Sequence, residues 1–148
     1  MTDPLAGLYQ ELILEHSKRR DGAGLLEDFD AERFDRNPTC GDEITLRIKV
    51  DDAGVITALG WDGQGCSISQ ASASVLAGLA PGLQREDLLA RIDAFRELMR
   101  SRGSGVGDPE VLEDAVAFSG VGKFPMRVKC AMLAWTALEH CLEQLPAS

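Results

Sequence analysis

Residues 37–66 read NPTCGDEITLRIKVDDAGVITALGWDGQGC, and this stretch predicts the centre of the fold. Apolar and polar residues alternate from Ile44 to Val50, which is the pattern of a half-buried strand. The run Asp51-Asp52-Ala53-Gly54 is typical of a turn, and residues 55–61 form a second strand-like run. We therefore expect the two strands to pair as an antiparallel hairpin.

The predicted hairpin brings together two cysteines that are far apart in the sequence. Cys40 lies just before the first strand and Cys66 just after the second, so pairing of the strands places both at one end. Asp42 is separated from Cys40 by Gly41 alone, and a glycine permits a turn that a Cβ would forbid. A thiolate and a carboxylate this close in sequence form a candidate nucleus for a metal site.

Helical patterns surround the hairpin on both sides. Asp3 and Pro4 predict the start of a first helix that ends near Arg19. Residues 28–36 support a short edge strand or an extended loop. Further helices are predicted at residues 68–79, 88–100, 111–118 and 125–145. The chain is thus expected to form one α+β domain, residues 1–148, with a small antiparallel sheet of two or three strands packed against several helices.

Two of the cysteines lie at or near the start of a predicted helix. Cys66 precedes one helix, where the positive end of the helix dipole favours a thiolate, and Cys130 lies in the first turns of the last helix. The alternative for Cys66 is a small buried residue at a tight turn. Three cysteines and Asp42 would complete the tetrahedral shell that Zn(II) prefers.

Other residues with reactive side chains are assigned structural roles. Cys141 follows Cys130 by a helical distance of ~16 Å, too far to share a metal, and is expected in the core. His16 is expected at a helix end, satisfied by backbone or solvent, and His140 is expected to face solvent. The segment Ser101 to Gly107 lacks the lysine of a phosphate-binding loop and is predicted to be a flexible loop.

Composition and charge narrow the class of protein. The chain has 148 residues, 45% of them apolar and 26% charged, as soluble globular domains do. Its formal charge of −9 disfavours binding to nucleic acid, and no apolar run is long enough for a membrane span. The N-terminus shows no secretion signal, so we expect a cytoplasmic protein. In a reducing compartment, cysteines indicate metal binding or catalysis rather than disulfides.

Three motifs in this order resemble the SufU proteins, the zinc-bearing relatives of the IscU iron-sulfur scaffolds. They are Asn37-Pro38-Thr39-Cys40-Gly41-Asp42, Gly63-Gln64-Gly65-Cys66-Ser67-Ile68-Ser69 and Phe124-Pro125-Met126-Arg127-Val128-Lys129-Cys130. The resemblance extends from Leu8 to Leu145. IscU-type proteins carry a histidine immediately before the third cysteine, where this chain has Lys129, and a protonated lysine cannot ligate a metal.

The resemblance implies an IscU-like fold and a specific chemistry. It implies that Zn(II) is bound by four residues: Cys40, Asp42, Cys66 and Cys130. It further implies that Cys40 accepts sulfane sulfur from a PLP-dependent, SufS-type cysteine desulfurase and passes it to a SufBCD-type assembly complex. In this family a histidine of the desulfurase replaces the acceptor thiol on zinc. Arg127 matches an arginine placed to pair with the carboxylate or the acceptor thiol.

Three hypotheses follow for the function. The first is a zinc-dependent sulfurtransferase-like persulfide carrier, because a shell with three thiolates is a weak Lewis acid and suits thiolate protection better than activation of water. The second is an iron-sulfur assembly scaffold that holds a transient iron-sulfur cluster on the same cysteines. The third is a structural zinc protein, which an aspartate ligand disfavours.

Overall fold

The central sheet of the chain has three antiparallel strands in the order β1-β2-β3. The computed structural model describes residues 4–38 and 41–145. The strands are β1 (Ala31–Arg36), β2 (Glu43–Val50) and β3 (Ile56–Gln64). The predicted hairpin is confirmed, and of the two alternatives for residues 28–36 the edge strand is the one observed. β3 extends three residues beyond the predicted end at Trp61, so that Gln64 pairs with Glu43.

Helices precede and follow the sheet in sequence. They are α1 (Pro4–Arg19), α2 (Ser67–Leu79), α3 (Arg85–Arg100), α4 (Pro109–Leu112) and α5 (Pro125–Gln144). A 3₁₀ segment, Glu113–Lys123, connects α4 to α5. Within the described residues, none of these helices combines the length and the apolar character that crossing a membrane would require.

The prediction of an α-helix at residues 111–118 is wrong. α4 has already ended at Leu112, and Glu113 adopts a φ of +49°, which an α-helix does not tolerate. The chain continues as the 3₁₀ segment, past the expected stop at Gly120 and on to Lys123. Short i to i+3 turns are usual where an α-helix cannot continue.

One face of the sheet forms part of the core. Along β2 every second residue is buried, namely Ile44, Leu46 and Ile48, as the alternation in the sequence predicts. α5 packs against β1 and β2, α2 packs against β3, and the two helices contact each other. This arrangement positions the starts of α2 and α5 relative to the hairpin.

An aromatic cluster fixes α5 against α3 and the 3₁₀ segment. The ring of Trp135 stacks on Phe95 with centroids 4.1 Å apart, and Phe118 meets Phe95 edge-on at 5.9 Å. The Trp135 Nε1–H donates to Ser72 Oγ at 2.9 Å, which links α5 to α2. The helix that carries Cys130 is therefore held along its middle by packed aromatic rings.

The two histidines differ from their sequence-based predictions. His16 is 3% exposed, with Nδ1 2.8 Å from Ser74 Oγ and Nε2 2.9 Å from Asp114 Oδ2. It joins α1 to α2 and to the 3₁₀ segment through side chains, not through backbone or solvent. His140 is half-buried rather than solvent-facing, and its Nδ1 lies 3.3 Å from Asp35 Oδ2. Periodicity within one helix cannot reveal partners on elements remote in sequence.

Candidate metal centre

The end of the β2–β3 hairpin positions the first two candidate ligands. Glu43 and Gln64 are the last paired residues of the two strands. Asp42 therefore precedes the pairing on one strand, and Cys66 follows it by two residues on the other. The hairpin therefore brings Asp42 and Cys66 together.

Cys66 occupies the N-cap position of α2. Its backbone has φ −73° and ψ 171°, and its carbonyl accepts a hydrogen bond from the Gln70 N–H at 3.1 Å. Neither Ser67 nor Ser69 is the N-cap of this helix. The Ser69 Oγ–H instead donates to the Cys66 carbonyl at 3.0 Å. The start of the helix thus fixes the backbone of a candidate ligand.

Asp42 is buried and turned toward Cys66. Its exposed fraction is 3%. Oδ1 accepts a hydrogen bond from the Cys66 backbone N–H at 3.2 Å, and the Cys66 Sγ–H donates to Oδ2 at 3.5 Å. Because Oδ1 is engaged by the backbone, Oδ2 is the oxygen next to the thiol.

Cys130 completes a cluster of three candidate ligands. It lies in the second turn of α5 and is 5% exposed. One ligand atom from each of Asp42, Cys66 and Cys130 lies within 4.8 Å of the atoms from the other two. On a tetrahedral zinc, a sulfur and an oxygen are separated by about 3.5 Å and two sulfurs by about 3.8 Å. The measured 3.5 Å between Cys66 Sγ and Asp42 Oδ2 agrees with this spacing, so the donor set fits a zinc ion.

The fourth predicted ligand, Cys40, lies outside the described residues. The described residues beside it are held together by backbone hydrogen bonds. The Asn37 N–H donates to the Asp42 carbonyl and the Gly41 N–H donates to the Asn37 carbonyl, both at 2.8 Å. Asp42 is therefore anchored through its own backbone as well as through its carboxylate.

Two cations precede Cys130 on α5. Both Arg127 and Lys129 are exposed. The Arg127 guanidinium stacks on the ring of Phe124, with 4.6 Å between its carbon and the ring centroid. Arg127 lies three residues before Cys130, so the two side chains are neighbours on the helix surface.

Cys141 lies in the core, as predicted. It is fully buried, and its Sγ is 3.6 Å from the carbonyl oxygen of Leu46. Burial, with a smaller contribution from the charge of Asp35, raises the pKa of this thiol to about 12. It remains a neutral thiol at physiological pH and takes no part in the cluster.

Gly65 has no role in the sequence-based prediction, although it lies directly against the Asp42 carboxylate. One feature of the sequence could have indicated its role, because a glycine stands immediately before a cysteine at a junction between a strand and a helix. Such a glycine often marks a close approach of backbone to another group.

The fold and this cluster define a small α+β protein with a thiolate-rich candidate metal centre at one end of a hairpin. The family model described as the NifU-like N-terminal domain matches residues 8–144, and the chain belongs to that family.

Two of its relatives have names that indicate different functions. The chain is 39% identical to the zinc-dependent sulfurtransferase SufU of Bacillus subtilis over 132 residues, 89% of this chain and 87% of the relative. It is 36% identical to the iron-sulfur cluster assembly scaffold protein IscU of Streptococcus pyogenes over 137 residues, 93% and 84% of the two chains. The resemblance to SufU proteins is confirmed, and the chain is a member of the iron-sulfur cluster assembly proteins.

A solved structure supports the same assignment of fold. The candidate iron-sulfur cluster assembly scaffold protein of the SUF system from Fervidobacterium islandicum superposes with a TM-score of 0.82 at 32% identity. The match covers 89% of this chain and 94% of that one. The predicted IscU-like α+β fold is therefore confirmed.

Proposed function

We propose that this protein is a zinc-dependent sulfurtransferase of the cytoplasm. It accepts persulfide sulfur from a SufS-type cysteine desulfurase and passes it to a SufBCD-type assembly complex. The observation that carries the proposal is the convergence of Asp42, Cys66 and Cys130, with ligand atoms within 4.8 Å of one another. The 39% identity to a protein named as a zinc-dependent sulfurtransferase supports it.

The proposed zinc ligands are Cys40, Asp42, Cys66 and Cys130. Bound zinc would hold the thiols deprotonated and protected until a partner displaces one of them. Three thiolates and one carboxylate bring four negative charges. Arg127 and Lys129, which precede Cys130 on α5, are the cations that would partly offset them.

Cys40 is the proposed acceptor of sulfur. Cys66 is bound into the N-terminus of α2 and Cys130 into α5, so each has its backbone in helical hydrogen bonds. Cys40 instead lies between Pro38 and Gly41 in a sequence typical of a loop, where a ligand can leave a metal by a small rotation of the chain.

The transfer needs no external oxidant or reductant. The Cys40 thiolate attacks the terminal sulfur of the persulfide on the desulfurase cysteine, and a new S–S bond forms at Cys40. The S–S bond on the desulfurase breaks, and its electron pair leaves with the desulfurase cysteine as a thiolate. Arg127 is the residue proposed to pair with the Asp42 carboxylate or the acceptor sulfur when the partner is bound.

A scaffold for iron-sulfur clusters is the second candidate. It is supported by the 36% identity to a protein named as an IscU scaffold. On that hypothesis the same cysteines would hold a cluster as cargo. Lys129 favours the first candidate, because the scaffold branch carries a histidine at this position and a protonated lysine cannot bind a metal.

Anaerobic purification followed by sulfur transfer tests the proposal. We expect colourless protein with one zinc per chain, whereas a brown protein with bound iron and sulfide would support the scaffold instead. After incubation with a SufS-type desulfurase and cysteine, alkylation and mass spectrometry should locate the added sulfur on Cys40. The Cys40→Ala variant should no longer stimulate the desulfurase, while Cys141→Ser should behave as the unmodified protein does. Added sulfur on Cys66 or Cys130 in protein that retains zinc would contradict the assignment of Cys40.

A further inference from the structure

Gly65 lies at the junction between β3 and α2, directly against the carboxylate of Asp42. A Cβ added to Gly65 would lie 2.5 Å from both Cγ and Oδ1 of Asp42, and 2.6 Å from Oγ of Ser69. Non-bonded heavy atoms in contact prefer separations of about 3.5 Å or more. The space that any other residue at position 65 would need is therefore already occupied by the carboxylate.

The carboxylate cannot move aside without losing contacts. Its Oδ1 accepts the Cys66 N–H at 3.2 Å, and the Asp42 backbone carbonyl accepts the Asn37 N–H at 2.8 Å. Asp42 is 3% exposed, so solvent offers its side chain no free alternative position. Displacement of the carboxylate would break its bond to the Cys66 N–H and move Oδ2 away from Cys66 Sγ.

We propose that Gly65 is a positioning residue of the metal centre. Its hydrogen leaves open the volume in which the Asp42 carboxylate lies with Oδ1 on the backbone and Oδ2 toward the thiols. Gly65 binds no metal itself and acts on metal affinity through Asp42. This inference rests on the proposed function, because it requires that Asp42 ligates zinc.

Two features favour a glycine here. The φ of Gly65 is +158°, which L side chains rarely adopt, and the Asp42 carboxylate occupies the space that a Cβ would need. The proposal concerns the second feature, and the two can be separated. This distinction can be measured, because a backbone effect would persist after Asp42 is truncated, whereas a collision with the carboxylate would not.

The first measurement is the zinc affinity of Gly65→Ala in competition with a chromophoric chelator. Changes in the residues that orient a metal ligand typically lower affinity by about 10- to 100-fold, and we expect a loss in that range. Gly78→Ala is the matched control. Gly78 lies on α2, and among the described residues no heavy atom beyond its chain neighbours and the adjacent helix backbone comes within 4 Å of its Cβ position. The zinc affinity of Gly78→Ala should equal that of the unmodified protein. Equal affinity of Gly65→Ala and the unmodified protein would overturn the proposal.

A double-mutant cycle identifies the residue through which Gly65 acts. In an Asp42→Ala background, Gly65→Ala should cause little further loss of zinc affinity, because the carboxylate is gone. In a Ser69→Ala background, the loss caused by Gly65→Ala should persist. If Gly65→Ala lowered zinc affinity by the same factor in the Asp42→Ala background, the collision with Asp42 would not be the cause of the loss. The same would follow if Ser69→Ala restored the zinc affinity of Gly65→Ala.

Folding is followed separately by circular dichroism in the presence of chelator. If Gly65→Ala does not fold, the Asp42→Ala/Gly65→Ala variant should fold because the collision has been removed, and failure of both would overturn the proposal. Cobalt(II) spectra provide a readout of ligand geometry. The absorption of tetrahedral cobalt should weaken in Gly65→Ala and should be unchanged in Gly78→Ala. An unmodified protein that binds neither zinc nor cobalt would overturn the proposed function and this inference together. Normal binding with no effect of Gly65→Ala would overturn the inference alone.

Discussion

Helix α5 carries two buried cysteines, one beside other candidate metal ligands and the other in the apolar core. Cys130, in the second turn, is 5% exposed, and Cys141, in the last part of the helix, is fully buried. The ligand atom of Cys130 lies within 4.8 Å of those of Asp42 and Cys66. The Cys141 Sγ instead lies 3.6 Å from the carbonyl oxygen of Leu46, against the middle of β2.

The comparison shows that the neighbours of a cysteine, rather than its burial, decide its chemistry. Cys130 meets a carboxylate and a second thiol that are delivered by the hairpin and the start of α2. Cys141 meets the apolar core, where loss of hydration disfavours a thiolate and raises the pKa of its thiol to about 12. A thiol of that kind is inert, whereas a thiol beside two other ligands can bind a metal.

The largest expected effect is the loss of zinc from Cys130→Ser. This variant removes a proposed ligand outright, so the fall in zinc affinity should exceed the roughly 10- to 100-fold loss caused by changes in residues that only orient a ligand. Cys141→Ser, on the same helix, should retain zinc at the level of the unmodified protein. Metal analysis of the two purified variants provides the comparison. Loss of zinc from Cys141→Ser at retained fold would show that the two cysteines are not as different as their surroundings indicate.

Asp42→Ala should have the next largest effect. Three proposed thiolate ligands remain, so zinc affinity should fall less than in Cys130→Ser. It should fall at least as far as in Gly65→Ala, which acts through this carboxylate, and the domain should remain folded. The Cys66 N–H loses its acceptor, which costs about 1 to 3 kcal/mol of stability, less than most domains possess. Chelator competition measures the affinity and urea unfolding of the metal-free protein measures the stability. An Asp42→Ala variant that cannot fold would contradict this expectation.

Much of the fold was predictable because its signals are local. The alternation from Ile44 to Val50 and the turn at residues 51–54 predicted the hairpin. The hairpin in turn predicted that Cys40 lies near Cys66. Cys40 is outside the described residues, but Asp42, two positions further on, lies beside Cys66. The first and last helices also lie within a residue of their predicted ends. Periodicity and turn chemistry determine such elements over short stretches.

The features that were missed depend on contacts between elements. The partners of His16 are Ser74 and Asp114, which lie 58 and 98 positions away in sequence, so nothing within α1 predicts that the imidazole is buried. α4 ends early at Glu113, whose positive φ is uncommon for a residue other than glycine, so the apolar spacing of residues 111–118 does not reveal it. The role of Gly65 likewise emerges only when the Asp42 carboxylate is placed beside it.

The smallest expected effect concerns the pH dependence of stability caused by Cys141. Its pKa is about 12 in the folded protein, against an ordinary value of 9.0 for an unperturbed cysteine. Below about pH 9 both the folded and the unfolded states keep the proton, so this thiol contributes no pH dependence to the stability of the protein there. Between about pH 9 and 12 the unfolded chain releases the proton while the folded protein retains it. Stability must therefore fall as the pH rises.

The measurement is the free energy of unfolding of the unmodified protein and of Cys141→Ala at pH 8 and pH 10, with reductant and chelator present. Each tenfold change in proton binding corresponds to about 1.4 kcal/mol, so the stability difference between the two proteins should narrow by roughly 1 kcal/mol at pH 10. Leu138→Val, also buried on α5, removes core volume without removing a titratable group. Its stability difference from the unmodified protein should be the same at both pH values. If the difference for Cys141→Ala were equally constant, the thiol would have to ionise as readily in the folded core as in the unfolded chain, and Cys141 would not be the inert counterpart of Cys130.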